Sequence, residues 1–572
     1  MADTNKDWTI MVYMAGDNNL SENMAFSLED FSNFGIDLRR DEGDKINLLA
    51  FFDGNSLTAP THYIDYSDGE TLKHPIEKKD LVNTNRGNRN TVQDGENSAS
   101  AYSILNFVNW CINTQKRVAK NYAVIFSSHS FGFHGTSFLG DGSSGDYITI
   151  FGLRWALEEA NKRYFGNKKI AILGFDSCVM SMLEVGYELK DVAQTIVASE
   201  GSLPNSGWGY APILRKFIST LSEDIQKETA DYVKNAAKSF VEGFIEQQKK
   251  YALGGRSVDI AAWNLDEIEP LAKSLNELAV ELLNKLNLPR LKKEKKLTDK
   301  DVFVYEQLKK SILQSHMDCQ TYMYEQCVDI KDFCERLLSE CKCLEEQMNL
   351  VKYDASSFSV IGEKCGNVIK AIGRCVLKSG FCGDEYQFSN GISLYFPWTA
   401  LAYSSTHFRY RYLSFIKGNT TNSENKYRIG DPETGAGKSW DDFLYFYLFV
   451  VTMRRTRNNS KNFQEFFNEL VESPLSKDNW SLKTRDNWSL MTRDNWSLKT
   501  RDNWSLKTRD NWSSGTRDNW SLKTRGEFAA ASSSFGGFKN FQFDWEISGF
   551  SDARAFDEKD LKCKYFDLLK EE

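Results

Sequence analysis

Two short apolar runs, each ending in a residue capable of chemistry, set the pattern of the chain. Ile170-Ala171-Ile172-Leu173 reads as a strand buried on both faces, and Gly174-Phe175-Asp176-Ser177-Cys178 follows at its carboxyl end. Asn121-Tyr122-Ala123-Val124-Ile125-Phe126 reads the same way and runs into Ser127-Ser128-His129-Ser130 and a glycine-rich loop with His134. Met11 to Met14 and Ile46 to Phe52 predict two earlier strands, with an amphipathic helix near Leu20 to Phe34 between them. Tyr102 to Thr114 predicts a second helix, and Val179 to Leu189 is apolar at helical spacing. Strands alternating with helices imply a parallel sheet wound by right-handed crossovers. Ligands bind such sheets outside the carboxyl ends of the strands, where His129 and Cys178 both emerge.

A thiol and an imidazole on one sheet edge can act as a nucleophile with its general base and acid. A helix starting at Cys178 would also favour the thiolate through its dipole. Each residue has a plainer reading: Cys178 as a small buried filler, His129 as a cap on a strand end. His134 is a rival base, five residues farther into the loop. Asp17 is better explained as a helix cap than as a catalytic acid.

Several stretches resemble the clostripain family of cysteine peptidases, in the family's order. They are Trp8-Thr9-Ile10-Met11-Val12-Tyr13-Met14-Ala15-Gly16-Asp17-Asn18-Asn19-Leu20, the histidine strand, and Phe175-Asp176-Ser177-Cys178 with Met182 and Glu184 after it. Val197-Ala198-Ser199-Glu200, Gly207-Trp208-Gly209-Tyr210, Val328 to Phe333 and Gly391 to Pro397 continue the likeness, which spans Trp8 to Val451. The resemblance implies a caspase-like parallel-sheet α/β sandwich, here with helical additions and a repeat-bearing C-terminal extension. It implies a Cys178/His129 dyad and an oxyanion held by the backbone N–H groups of Cys178 and Ser130. The family has Gly where this chain has Ser130, whose Cβ would cost roughly 1–2 kcal/mol if the loop needs a positive φ. Asp176 matches an acidic position that lines the family's pocket for a basic side chain, although a structural acid explains it equally well. The loop Leu203-Pro204-Asn205-Ser206 is neutral where the family carries acid, so selectivity is expected to be looser. The resemblance also raises calcium as an activator, and no Asp/Asn-Gly loop with ligand spacing locates it.

Composition narrows the setting. The net charge of −8 gives no reason to invoke nucleic acid. Asp3, Lys6 and Asp7 interrupt the first ten residues, so no secretory signal is expected. The longest apolar run, Phe443 to Val451, is too short to span a bilayer and is expected in the core. Eleven cysteines without a signal argue for reduced thiols and a cytoplasmic location. Cys327, Cys334 and Cys341, seven apart with Cys343 nearby, predict a buried stripe along one helix instead of a zinc site.

The expected organisation is a catalytic core over 1–215 and helical additions with later strands over 216–470. An octapeptide linker over 471–525 and an aromatic-rich tail over 526–572 follow. Asp80 to Asn97 reads as loop, and Lys285 to Asp301 as an exposed basic connector. From Asp478 to Arg525 the unit Asp-Asn-Trp-Ser-Leu-Lys-Thr-Arg repeats six times, with Met491 and Ser514-Gly515 as its variations. As coil the array would span roughly 40 Å. Its Asn-Trp-Ser triplets match glycosylation acceptors only formally, and the tail could dock a partner.

Together these features predict an endopeptidase that hydrolyses peptide bonds in protein or peptide substrates, after Arg or Lys. The alternative is a weakened or inactive scaffold of the same fold that presents the array's Trp residues to a partner. The usual maturation cut is not expected, because no Lys or Arg lies from Phe131 to Leu153.

Overall fold

The computed structural model describes residues 6–41, 46–54, 61–82, 97–134, 138–224, 231–249, 257–286, 298–323, 325–350, 354–398, 402–403, 413 and 440–448. The octapeptide array, the tail, and most of the expected Asp80 to Asn97 loop and basic connector lie outside the described residues.

The chain begins with Lys6–Ala15 (β1), Ser21–Asp41 (α1), Ile46–Asp53 (β2), His62–Asp65 (β3), Leu72–Pro75 (β4) and Ala101–Asn109 (α2). Ala119–Ser127 (β5), Ile150–Arg163 (α3), Ile170–Asp176 (β6), Leu183–Leu189 (α4), Ala193–Ala198 (β7) and Tyr210–Asp224 (α5) follow. Beyond them lie Tyr232–Gln248 (α6), Val258–Asn264 (β8), Ile268–Leu286 (α7), Asp299–Asp318 (α8), Thr321–Tyr322 (β9) and Cys327–Asp329 (β10). Ile330–Leu350 (α9), Ser356–Cys375 (α10), Val376–Cys382 (β11), Ser393–Tyr395 (β12) and Trp440–Phe446 (α11) complete the order.

The main sheet runs β11-β8-β7-β6-β5-β1-β2-β3-β4. Its centre, β7-β6-β5-β1-β2, is parallel, as the alternation of strands and helices implies. Both margins are antiparallel, which the sequence did not indicate. At one margin the reason is length, since the link from β2 to β3 is too short for the dozen or so residues of a parallel crossover.

Helices cover both faces because the central strands are apolar on both. Along β1, Met11, Tyr13 and Ala15 enter one core with Phe107 of α2 and Leu153 of α3. Ile10, Val12 and Met14 enter the other with Phe31 of α1, Phe217 of α5 and Phe240 of α6. Each such large side chain contributes roughly 1.5–3 kcal/mol by leaving water. Gly186 in α4 lets the helix close on Trp263, whose ring lies 2.2 Å from where a Cβ would stand.

Local expectations fare unevenly. The second helix is α2, capped by Ser100 accepting from Tyr102 N at 3.2 Å, but it widens into a π turn over Trp110–Thr114. Asp17 does not cap α1: its Oδ2 accepts from Ser143 N at 2.7 Å, and Asn18 Oδ1 takes Leu20 N at 2.9 Å. The cysteine stripe is also corrected. Cys327 lies on β10, while Cys334 and Cys341 are buried on α9 and Cys343 is exposed.

A second sheet, β12-β10-β9, docks against the end of the first through buried carboxylates. Asp259 of β8 accepts from Glu200 N and Gly201 N, both at 2.8 Å. Glu200 Oε2 accepts from Gly391 N at 2.7 Å, and Asp329 of β10 takes Asp332 N at 2.7 Å and Asn390 N. Burial pushes Asp259 up to about 6, Asp329 up to about 7 and Glu200 well above the usual carboxylate range.

A carboxyl raised in this way holds its proton in the fold but loses it on unfolding. Its support for the fold is therefore complete at low pH and fades as pH rises through about 6 to 7. Melting temperature is expected to fall from about pH 5.5 to about pH 8, and Asp329→Asn should flatten that fall by on the order of 1 kcal/mol. The half-buried imidazole of His129 and the buried one of His316 act in the opposite sense, but they are common to both proteins. A variant with an unchanged slope in calorimetry at the two pH values would refute a titrating Asp329.

Candidate active site

β5 and β6 pair in parallel with Ser127 opposite Asp176. Two residues farther along each strand, His129 and Cys178 leave the same edge and line one cleft. Ser127 Oγ donates to Asp176 Oδ2 at 3.0 Å, so the two strand ends are joined by side chains as well as backbone.

The expected helix at Cys178 is absent. α4 begins only at Leu183: the chain turns at Cys178 and Val179, and Met182 is extended and bridges in parallel to Ser393. Val179 N donates to Gly201 O at 3.0 Å, Ser181 N to Ser199 O at 2.9 Å, and Ser393 N to Ser181 O at 2.9 Å. Backbone groups that a helix would have used internally are spent on β12 and on the loop after β7. Val179, directly after the thiol, is held at φ +57°, a conformation costing a β-branched residue on the order of 1–3 kcal/mol. No helix dipole acts on the thiol. Cys178 Sγ instead accepts from Leu203 N at 3.3 Å, and burial raises its pKa above the ordinary thiol value.

His129 Nε2 meets Asn19 Oδ1 at 2.6 Å, and burial pushes the imidazole down to about 4. The resting pair is thus a neutral thiol and a neutral imidazole. His134 ends the 3-10 turn Gly132–His134, and its side chain lies outside the described residues.

Ser130 does not require glycine. Its backbone is not in the positive-φ region, and its Oγ accepts from Gly132 N at 3.1 Å and meets Met180 Sδ at 2.8 Å. The conformational demand falls two residues later. Gly132 has φ +62°, and a Cβ there would lie 2.3 Å from Met182 Sδ and 2.9 Å from Val179 O.

Asp176 is buried and lines the cleft. Its Oδ1 accepts from Trp208 N at 2.9 Å, and its Oδ2 from Tyr210 Oη at 2.9 Å as well as from Ser127. Gly207, at φ +60°, brings its backbone so close that a Cβ would stand 2.7 Å from that carboxylate. Burial lifts Asp176 to about 6, against the three donors that pull it down. The acid therefore anchors the loop 203–208 and is also the one charged side chain among the described residues lining the cleft.

Sequence reasoning missed Asn19, Leu203, Ser127 and Tyr210 as partners of the expected site residues. Only the strand order, with β1 beside β5, explains why the loop of Asn19 reaches His129. Among the described residues no group of three or more His, Cys, Asp or Glu is arranged to hold a metal ion. No described helix is long and apolar enough to cross a membrane.

The sequence profile of the clostripain family matches residues 12–423. No curated protein matches the chain. Among solved structures it is similar to an inactive zymogen C11 protease from Parabacteroides distasonis, at 17% identity and a TM-score of 0.44, covering 73% of this chain and 99% of that one. It is also similar to the secreted C11 cysteine protease iotapain from Bacteroides thetaiotaomicron, at 14% identity and a TM-score of 0.43, covering 68% and 94%. A secreted C11 cysteine protease from the same organism, in complex with an irreversible peptide inhibitor, gives 16% identity and 0.44, covering 72% and 98%. The profile match takes in both strand ends and well over half of the 572 residues, and the chain belongs to the clostripain family of cysteine peptidases.

Proposed function

We propose that this chain is an endopeptidase working through a Cys178/His129 dyad in a caspase-like sandwich, and that it cuts after basic residues. The observation that carries the dyad is the register of β5 and β6, which sends both residues into one cleft. His129 takes the thiol proton as Cys178 attacks the scissile carbonyl, and the carbonyl oxygen becomes an oxyanion facing the N–H groups of Cys178 and Ser130. His129 then gives that proton to the leaving amine, and the acyl group remains on sulfur. Water, deprotonated by the same imidazole, hydrolyses the thioester. Each backbone donor aimed at the oxyanion is worth roughly 3–4 kcal/mol.

The basic preference rests on Asp176, a lone carboxylate in a cleft with no described cation. Three donors already reach it, and a carboxylate offers about four acceptor positions, so one is left for Arg or Lys. Residues 1–215 form the catalytic core in this reading, 216–470 the additions, 471–525 a linker and 526–572 a tail that meets a partner. Ten described cysteines, all unpaired, support a reducing, cytoplasmic setting.

Cys178→Ala and His129→Ala are each expected to lower peptide hydrolysis by roughly a thousandfold or more while keeping the melting temperature, whereas His134→Ala keeps activity. A dead His134→Ala beside an active His129→Ala would reverse the assignment. Ser130→Gly should bring no gain in turnover, because the backbone there already suits a side chain.

Selectivity for Arg over neutral residues should weaken as pH falls through about 6, where Asp176 gains a proton. Asp176→Asn should remove most of that selectivity at pH 8. An unchanged ratio of kcat/KM with a lower melting temperature would leave Asp176 a purely structural acid.

Every octapeptide ends in Thr-Arg, so wild type should release fragments ending at Arg485, Arg493, Arg501, Arg509, Arg517 and Arg525. Arg154, Lys162 and Arg163 lie on α3, where a protease cannot extend the backbone. Intact mass spectrometry beside Cys178→Ala reads the outcome, and cuts between His129 and Cys178 instead would contradict it.

A further inference from the structure

We propose that Asn19 is a positioning residue for His129, fixing which ring nitrogen carries the proton and so which one exchanges a proton with Cys178. The inference rests on His129 being the catalytic base. Its starting point is the short contact between Asn19 Oδ1 and His129 Nε2, at 2.6 Å. An amide oxygen can only accept, so Nε2 must be the protonated nitrogen of the neutral ring and Nδ1 holds the free lone pair.

The loop that presents Asn19 is stitched to the histidine loop by the order of the strands. β1 lies beside β5, with Met14 opposite Ser127, so the two carboxyl-end loops are neighbours. Ser128 Oγ donates to Ala15 O at 3.0 Å, and Asn18 Nδ2 donates to the same carbonyl at 2.9 Å and to Gly140 O at 3.3 Å. Asn18 Oδ1 accepts Leu20 N at 2.9 Å, Gly16 N donates to Asp53 O at 2.7 Å, and Gly142 N donates to Asp17 O at 2.7 Å. Asn18 is thereby consumed by the turn, and Asn19 is the neighbour whose side chain is offered to the ring. Asn19 itself is exposed, so water competes for His129 in the free protein, and the hold tightens when a bound peptide covers the pair.

The chemistry asks for such a hold. When Nδ1 accepts the thiol proton, the ring becomes an imidazolium and its Nε2–H bond to Asn19 gains charge assistance. When Nδ1 gives the proton to the leaving amine, the ring returns to the same tautomer. A ring free to place its proton on Nδ1 presents no base to the thiol, so a fraction of the molecules idles in each turnover. A neutral amide does this without raising the basicity of the ring, whereas a carboxylate in its place would also hold the imidazolium.

The test uses the full chain carrying Cys178→Ala, with 15N-labelled histidine, and reads ring tautomers by NMR. There are six histidines, and His129→Ala identifies the relevant signal by its loss. The expected result is an Nε2–H tautomer at His129 and a tautomer mixture in Asn19→Ala. Asn19→Asp should restore Nε2–H and raise the proton affinity of His129 by roughly tenfold. In the Cys178 proteins, Asn19→Ala should lower kcat by roughly tenfold with KM within about twofold, and Asn19→Asp should recover kcat while moving the His129 limb of the pH profile upward. A single Nε2–H tautomer in Asn19→Ala overturns the proposal whatever the activity does, and so does a tautomer mixture with wild-type kcat. Should Asn19→Ala fail to fold, an Asn19→Asp protein with unchanged His129 titration overturns it equally. The tautomer readout needs no turnover, so a wild type without peptidase activity would refute the proposed dyad and leave the Asn19–His129 result standing by itself.

Discussion

The parallel pairing of β5 with β6 is the constraint on which the cleft depends. Both strands are buried on both faces, so a slip by one residue would send every side chain into the wrong core. That double burial fixes Ser127 opposite Asp176, and the bond from Ser127 Oγ to the Asp176 carboxylate closes the register at its end. The same carboxylate holds Trp208 N and Tyr210 Oη, so the loop that covers the thiol is set by the strand that carries it. A single buried acid thus links the histidine strand, the cysteine strand and the roof of the cleft.

How legible each part was in the sequence follows the range of the interaction that decides it. β1, β2, β5 and β6 could be read because continuous apolar runs leave little choice of environment. Their order in the sheet could not, since nothing local places β1 between β5 and β2. Asn19 was invisible for that reason: it is one polar residue in a turn until β1 is set beside β5. The segment Val179 to Met182 failed for a different reason. Its apolar spacing suits a helix, yet three long-range backbone bonds to Gly201, Ser199 and Ser393 outweigh propensity there. The cysteine stripe failed at its first member. Seven-residue spacing describes Cys334 and Cys341 well, but Asp329 takes Asp332 N and begins the helix two residues after Cys327.

Glycine gives a similar lesson about where a rule should be applied. The family resemblance draws attention to Ser130, because glycine is usual after the histidine. The backbone at Ser130 is ordinary, while Gly132 carries both the positive φ and the close approach to Met182 and Val179. The strained residue of the site is Val179, held at φ +57° by bonds on either side of it. Strain beside Cys178 is tolerated because the surrounding sheet and loop over-determine that backbone.

Both members of the proposed dyad are pushed toward neutrality by the same cause. Burial raises Cys178 and lowers His129 to about 4, so a resting thiolate–imidazolium pair would have to overcome two desolvation penalties at once. The Leu203 N–H works the other way, since a donor on sulfur favours the thiolate. It is the largest of the lowering influences on Cys178 and is outweighed by burial. A helix dipole at Cys178 would have favoured the thiolate, but the chain turns there and the helix starts only at Leu183. In the proposed mechanism the nucleophile is therefore generated as it is used, with the proton leaving sulfur while the carbonyl oxygen takes up negative charge. Charge then appears in the cleft only when donors are in place to receive it, and the neutral imidazole is what makes that transfer available.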